Sequence, residues 1–245
     1  MTDRIRKQWE ALGREDPYWA VITRPDKKGR RWDKRDFFRT GVDEVDRVMR
    51  EVQALGVEVL RGVALDFGCG VGRVTQALAA RFERVFGVDI AQSMLDEARA
   101  QSRSANVDFM RNDGETLTQV ASESIDFLYS NLALQHAPRG CQRSLAREFC
   151  RVLRPGAVLV IQTPSHPNPK TGKGWAYLLF RNRALNVARR LLHGRGRVME
   201  IHTFDKAQVV RTLEQGGLSL LDVRRNDAAG AAFVSYRYFA RKPPA

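Results

Sequence analysis

The run Val63-Ala64-Leu65-Asp66-Phe67-Gly68-Cys69-Gly70-Val71-Gly72-Arg73 constrains this chain more than any other stretch. Its first five residues read as a strand buried on both faces. Val74, Leu78 and Phe82 then recur at helical spacing, so the strand must pass through glycines straight into a helix. Glycines at 68, 70 and 72 permit a tight turn and offer bare backbone where a Cβ would hold a ligand away. A second apolar run, Val85-Phe86-Gly87-Val88-Asp89, ends in an acid. At the carboxyl end of the next strand an acid can accept hydrogen bonds from ribose hydroxyls. The two runs together describe a nucleoside site at the end of a parallel sheet.

Glycine spacing decides between nucleosides. The dinucleotide fingerprint is G-x-G-x-x-G, with helix N-terminal amides facing a pyrophosphate. Here the spacing is G-x-G-x-G, with Asp66 two positions ahead of the first glycine, which disfavours a nicotinamide-dependent dehydrogenase. The run resembles motif I of the class I S-adenosylmethionine-dependent methyltransferases. Phe109-Met110-Arg111-Asn112-Asp113-Gly114, Ile125-Asp126-Phe127-Leu128-Tyr129-Ser130-Asn131, and Val152-Leu153-Arg154-Pro155-Gly156 with the apolar run after it resemble later segments of that family in the same order. The resemblance covers about residues 62–163 and, more weakly, 204–240. It implies S-adenosyl-L-methionine as cofactor. It also implies that Asp66, Gly68, Gly70 and Gly72 bind the cofactor's amino-acid end, Asp89 its ribose and Asp113 its adenine. Asn131 and Leu132 would lie beneath the sulfonium, with Ile90 and Gly114 also in the cofactor site.

The pattern of the remaining chain predicts an α/β fold: a Rossmann-like, doubly wound sheet with strands near 62–67, 84–89, 106–110, 124–130 and 157–163 and helices between them. If the resemblance holds to the end, strands near 218–224 and 231–240 complete a seven-stranded sheet with an antiparallel C-terminal hairpin. Residues 1–61 read as an N-terminal arm, rich in aromatics (Trp9, Tyr18, Trp19, Trp32, Phe37, Phe38), followed by a helix over about 42–55. Dense aromatics are unlikely to stay solvated, so the arm either covers the cleft or anchors on the outside of the sheet. Residues 62–245 form the methyltransferase-like domain. Within it, Pro164, Pro167, Pro169, Gly172 and Gly174 predict a break in regular structure that opens a cover insert over 164–203, with a helix resuming near Phe204.

Charge is concentrated in that insert. The chain has a net charge of +13, and residues 164–203 hold Lys170, Lys173, Arg181, Arg183, Arg189, Arg190, Arg195 and Arg197 against Glu200 alone. Such a cover fits an anionic small-molecule acceptor, although the chain's general preference for arginine explains the same excess without a partner. Trp175 and the leucines among those arginines leave peripheral membrane contact open beside a lid role. Nucleic acid is disfavoured, because Asn131-Leu132-Ala133-Leu134 stands where an acceptor motif for base nitrogens is expected, and no RNA-binding module is apparent. Length and composition exclude a membrane span, and Cys69, Cys141 and Cys150 lack metal-ligand spacing, so a reducing cytoplasm is the simplest compartment.

The expected reaction is methyl transfer to a small molecule, most simply to a hydroxyl of a sugar or secondary metabolite. RNA methylation and a non-catalytic cofactor-binding role are the alternatives. A hydroxyl must lose a proton, so a base is needed. His136, in Leu134-Gln135-His136-Ala137-Pro138 after the fourth strand, is the first candidate, with a structural loop histidine as the competing reading. His202, just before a helix, is the second. No metal is expected, since the four histidines are scattered. The sequence does not fix the oligomeric state.

Overall fold

The computed structural model describes residues 2–179 and 199–244. Seven strands form one sheet in the order β3-β2-β1-β4-β5-β7-β6, built from β1 (Val63–Phe67), β2 (Arg84–Asp89), β3 (Val107–Arg111), β4 (Ile125–Ser130), β5 (Leu153–Pro167), β6 (Ser219–Asn226) and β7 (Phe233–Arg241). β1 to β5 pair in parallel, whereas β7 runs antiparallel to both β5 and β6. The chain order reverses between β1 and β4. At such a switch point the loops leaving adjacent strands diverge and open a crevice at the strands' carboxyl ends.

Period-two alternation divides the sheet's side chains between two layers. Ala64, Phe127, Val158 and Val160 face α3 (Lys34–Gln53) and α4 (Arg73–Ala79), where they meet Val45, Val48, Val52 and Leu78. Their neighbours Leu65, Leu128, Leu159 and Ile161 face α6 (Arg139–Val152) and α8 (Lys206–Gln215), against Leu145, Phe149, Val209 and Leu213. This two-sided burial is why the parallel strands read as unbroken apolar runs. α5 (Gln92–Gln101) follows β2, and the short α7 (Gly172–Leu179) follows β5.

Apart from β5 the strands fall within a few residues of expectation, and three features differ from it. The first helix of the sheet layer begins at Lys34 rather than near 42. Asp33 caps it by accepting from Asp36 N at 3.0 Å, and Phe37, Gly41 and Glu44 extend the buried stripe backwards. The arm ahead of it is itself helical, as α1 (Thr2–Glu15) and α2 (Pro17–Val21). β5 runs on to Pro167, past the expected break at Pro164, with the antiparallel pairing to β7 shifting register between Pro164 and His166. Gly172 and Gly174 lie within α7 and do not break it. Arg181, Arg183, Arg189, Arg190, Arg195, Arg197 and their interleaved leucines lie outside the described residues.

Candidate active site

A cavity of about 460 Å³ opens at the carboxyl ends of β1, β2 and β4. Gly68 and Gly70 line it from the loop after β1, with φ values of 75° and 53°. A Cβ on Gly68 would lie 2.1 Å from the Cβ of Ala133, because the loop after β4 packs directly on the glycine loop. Gly68→Ala therefore combines an unfavourable left-handed backbone with overpacking, and is expected to destabilise the chain by about 2–3 kcal/mol. A lowered denaturant midpoint with an unchanged slope would show it.

Asp89 is the best-anchored ligand-facing group. Its Oδ2 accepts from Gly70 N at 2.9 Å and its Oδ1 from Ala91 N at 2.9 Å, so the carboxylate ties the glycine loop to the end of β2. Burial pushes its pKa up, opposed by these backbone donors. Ile90, Met94, Asn112 and Gly114 continue the same wall. Asn112 N donates to Asp89 O at 3.0 Å, while its buried side-chain Nδ2 has no partner in the protein.

Asn131 and Leu132 line the cavity from the loop after β4. Asn131 Nδ2 donates to Glu44 Oε1 at 2.6 Å, and Leu132 holds φ at 62° with its N–H donated to Gln162 Oε1 at 3.1 Å. A left-handed leucine costs about 1–2 kcal/mol. That cost is absorbed where the surrounding bonds over-determine the loop. Glu44, buried on α3, also accepts from Arg73 Nη2 at 2.5 Å and from the Tyr129 hydroxyl. Burial alone would raise its pKa, but Arg73 and Tyr129 outweigh it and hold the carboxyl below its ordinary value.

His136 lines the cavity from a single 3-10 turn, Leu134–His136. Its Nδ1 lies 2.8 Å from the carbonyl oxygen of Glu200, an acceptor only, so Nδ1 carries the proton and Nε2 the lone pair. Gln135 Nε2 lies 3.2 Å from that Nε2 and donates to it. Burial depresses the imidazole to about 4, opposed by the Glu200 carbonyl and assisted by nearby His202.

Four of the residues singled out in the sequence do not reach the cavity. Asp66 turns into the protein, where it accepts from Thr75 Oγ1 at 2.6 Å, and burial raises its carboxyl to about 7. Gly72 forms the N-cap of α4. Asp113 folds onto its own turn and accepts from Glu115 N and Thr116 N, so its neighbours Asn112 and Gly114 line the wall instead. His202 faces Glu200, with its Nε2 3.7 Å from Oε2.

The sequence left the arm open between covering the cleft and anchoring outside the sheet, and it did not single out Glu44. α1 supplies Thr2, Ile5 and Trp9 to the cavity, and Trp9 stands edge-on to His136 with ring centroids 4.8 Å apart. Glu10 fixes that helix by accepting from Gln92 N and Ser93 N at the start of α5, whose own N-cap, Ala91, has no side chain to offer. The signal was present as Ile5, Trp9 and Leu12 at helical spacing among charges. Glu44 was legible in the same way, as an acid on the stripe that also holds Gly41, Val45 and Val48. Among the described residues no group of three or more His, Cys, Asp or Glu could hold a metal, and no helix is long and apolar enough to cross a membrane.

Residues 65–161 match the family model described as methyltransferase domain. These residues are a methyltransferase domain. The chain is 42% identical over 119 residues to trans-aconitate 2-methyltransferase from Deinococcus radiodurans, a match covering 48% of this chain and 43% of that protein. It is 36% identical over 157 residues to a bifunctional biotin biosynthesis protein from Cellvibrio japonicus, covering 61% of this chain and 30% of the relative. The chain thus spans less than half the length of either relative. Among solved structures, magnesium protoporphyrin IX methyltransferase from Synechocystis, solved with S-adenosylhomocysteine (SAH) bound, superposes with a TM-score of 0.62. That superposition covers 97% of this chain and 98% of the other at 19% identity. The matched residues span β1 to β4 and much of β5, and the described sheet shares its Rossmann-like fold with that structure.

Proposed function

We propose that this chain transfers the methyl group of S-adenosylmethionine to a hydroxyl oxygen of a small molecule. The observation that carries the reading is Asp89, fixed at the end of β2 by Gly70 and Ala91 and facing the cavity beside bare glycine backbone. The residues fit the cofactor. Unpartnered buried polar atoms on Asn112, Asn131 and Gln135, all cavity-lining residues, await donors or acceptors that an adenosine and an amino-acid group can supply. Asp89 would hold the ribose, Ile90, Met94, Asn112 and Gly114 the adenine side, and Gly68 and Gly70 the amino-acid end. When bound, the cofactor supplies an electrophilic methyl on a sulfonium. The protein's own work is to orient the acceptor, exclude water and accept its proton.

His136 is the base in this reading. Its proton sits on Nδ1 and its lone pair on Nε2, where Gln135 Nε2 at 3.2 Å holds the place that an acceptor hydroxyl takes when it binds, and it stays neutral down to about pH 4 because burial disfavours the cation. His136→Gln is expected to lower kcat by about 10²- to 10⁴-fold while leaving cofactor affinity unchanged. The sign of the pH dependence follows from the depressed value. Activity carried by neutral His136 is present above its folded pKa and is lost as pH falls through about 4, rather than through the ordinary 6.5. A pH–rate profile whose acid limb lies near 6.5, or a limb that survives in His136→Gln, would remove His136 from this role. The decisive binding test is titration of the full chain with S-adenosylmethionine and with reduced nicotinamide dinucleotide; heat from the second alone would overturn the cofactor reading.

A further inference from the structure

Away from the glycine loop, α1, the segment leading to α8 and the β6–β7 loop present Ile5, Trp9, Met199, Ile201 and Ala229 to the cavity. Among the described residues no lysine or arginine lines it. Arg4, on the same helix as Trp9, is turned to Glu200 at 2.7 Å, and Arg139 donates to Thr203 Oγ1 at 3.3 Å. Among the described residues the ionisable side chains in the lining are Asp89 and the neutral His136. A carboxylate or phosphate entering here loses its hydration beside an acid and gains no cation from these walls, an arrangement that costs several kcal/mol.

The base narrows the choice of neutral acceptor. Trp9 stands edge-on to His136 with ring centroids 4.8 Å apart, so a ring against Trp9 brings its own hydroxyl to the imidazole, and burial makes that imidazole a weak base best matched to an acidic hydroxyl. A phenol, with a pKa near 10 as in tyrosine, meets that requirement far better than an aliphatic or sugar hydroxyl, which holds its proton much more tightly. An aromatic ring also suits a wall whose largest side chain is Trp9.

We infer that the acceptor is a phenol on an apolar body, its ring resting against Trp9 and the aliphatic wall and its hydroxyl directed to His136 Nε2. The inference rests on the methyl-transfer reading and deepens it. The phenol oxygen forms the new O–C bond as the carbon–sulfur bond breaks, the bonding pair stays on sulfur, and the hydroxyl proton passes to Nε2 and then to solvent. The products are an aryl methyl ether and the neutral thioether.

The test is calorimetric titration of the full chain, with and without SAH, using 2-naphthol and 2-naphthoate. The two probes share a ring system and differ in the ionised group, and SAH lacks the sulfonium charge. The naphthol is expected to bind roughly tenfold more tightly or better, since the carboxylate must be desolvated without a partner. Trp9→Ala should weaken both probes about equally and leave their ratio unchanged, while Trp9→Phe should retain most of the affinity, which separates a ring contact from a general role in holding α1. With labelled S-adenosylmethionine, methyl transfer should reach 2-naphthol and not trans-aconitate or glucose. Equal or tighter binding of the naphthoate, binding of neither probe by a chain that takes SAH, or transfer to trans-aconitate or glucose in preference would overturn the inference while leaving methyl transfer standing. A chain that fails to bind SAH would instead sink the methyl-transfer reading, and the naphthol-to-naphthoate ratio on the free chain would still report the cavity's preference.

Discussion

Asp89→Ala is expected to weaken binding of S-adenosylmethionine by roughly a hundredfold or more, because hydrogen bonds to a charged acceptor contribute about 1.5–3 kcal/mol each and a ribose offers two hydroxyls. The carboxylate does more than receive a ligand. Gly70 N and Ala91 N both donate to it, so its removal also releases the glycine loop from the end of β2. Asp89→Asn separates these effects: it retains the side-chain shape and one acceptor oxygen, and should keep the fold while losing most of the affinity. Calorimetry on both variants, with thermal melting to establish that each is folded, checks the expectation. Full affinity in a folded Asp89→Ala protein would remove the cavity as the cofactor site.

Glu44→Ala is expected to be the most destabilising single change away from the cavity itself. The carboxylate is the common acceptor for Arg73, Tyr129 and Asn131, and all of it lies beneath the loop that carries Leu132. Removing one partner of a buried pair leaves the other charge uncompensated, at about 3–5 kcal/mol. At about 2–4 °C per kcal/mol for a chain of this size, the melting temperature should fall by about 10 °C. The pH dependence has a definite sign. Because Glu44 is held below its ordinary 4.5 in the folded chain, its contribution is present above that value and is lost as pH falls through the lower folded one. The melting-temperature difference between wild type and Glu44→Ala should therefore shrink on acidification. A Glu44→Ala protein that melts with wild type at pH 7 would show that this network contributes nothing net.

The sheet was legible because burial on both faces leaves a signal that hardly depends on context. Val63–Leu65, Val85–Val88 and Phe127–Tyr129 are apolar on successive residues, and each lies where its run predicts. Asp89 was legible for the same reason, as the polar residue that ends such a run. Direction of a side chain was not legible. Asp66 and Asp113 occupy the motif positions, yet one turns to Thr75 and the other to its own turn, choices set by burial and by local backbone donors rather than by spacing. His136 and His202 looked alike as loop histidines. The Glu200 backbone separates them by fixing the tautomer of the first, a contact 64 residues away in sequence. Trp9 was visible as one of the arm's aromatics, but whether the arm covers the cleft or anchors outside it stayed open, because three apolar residues among charges on one helix are faint until a partner, here the start of α5, shows which face is inward.

The measurement that bears most directly on the account is transfer of labelled methyl from S-adenosylmethionine by the full chain into an extract of its source cells, fractionated into RNA, protein, lipid and small-molecule pools. Label is expected in the small-molecule pool, in a product of aromatic ether character, and is expected to disappear with Asp89→Ala. Label confined to RNA, or a chain that binds cofactor and labels no pool that does contain phenols, would contradict this expectation.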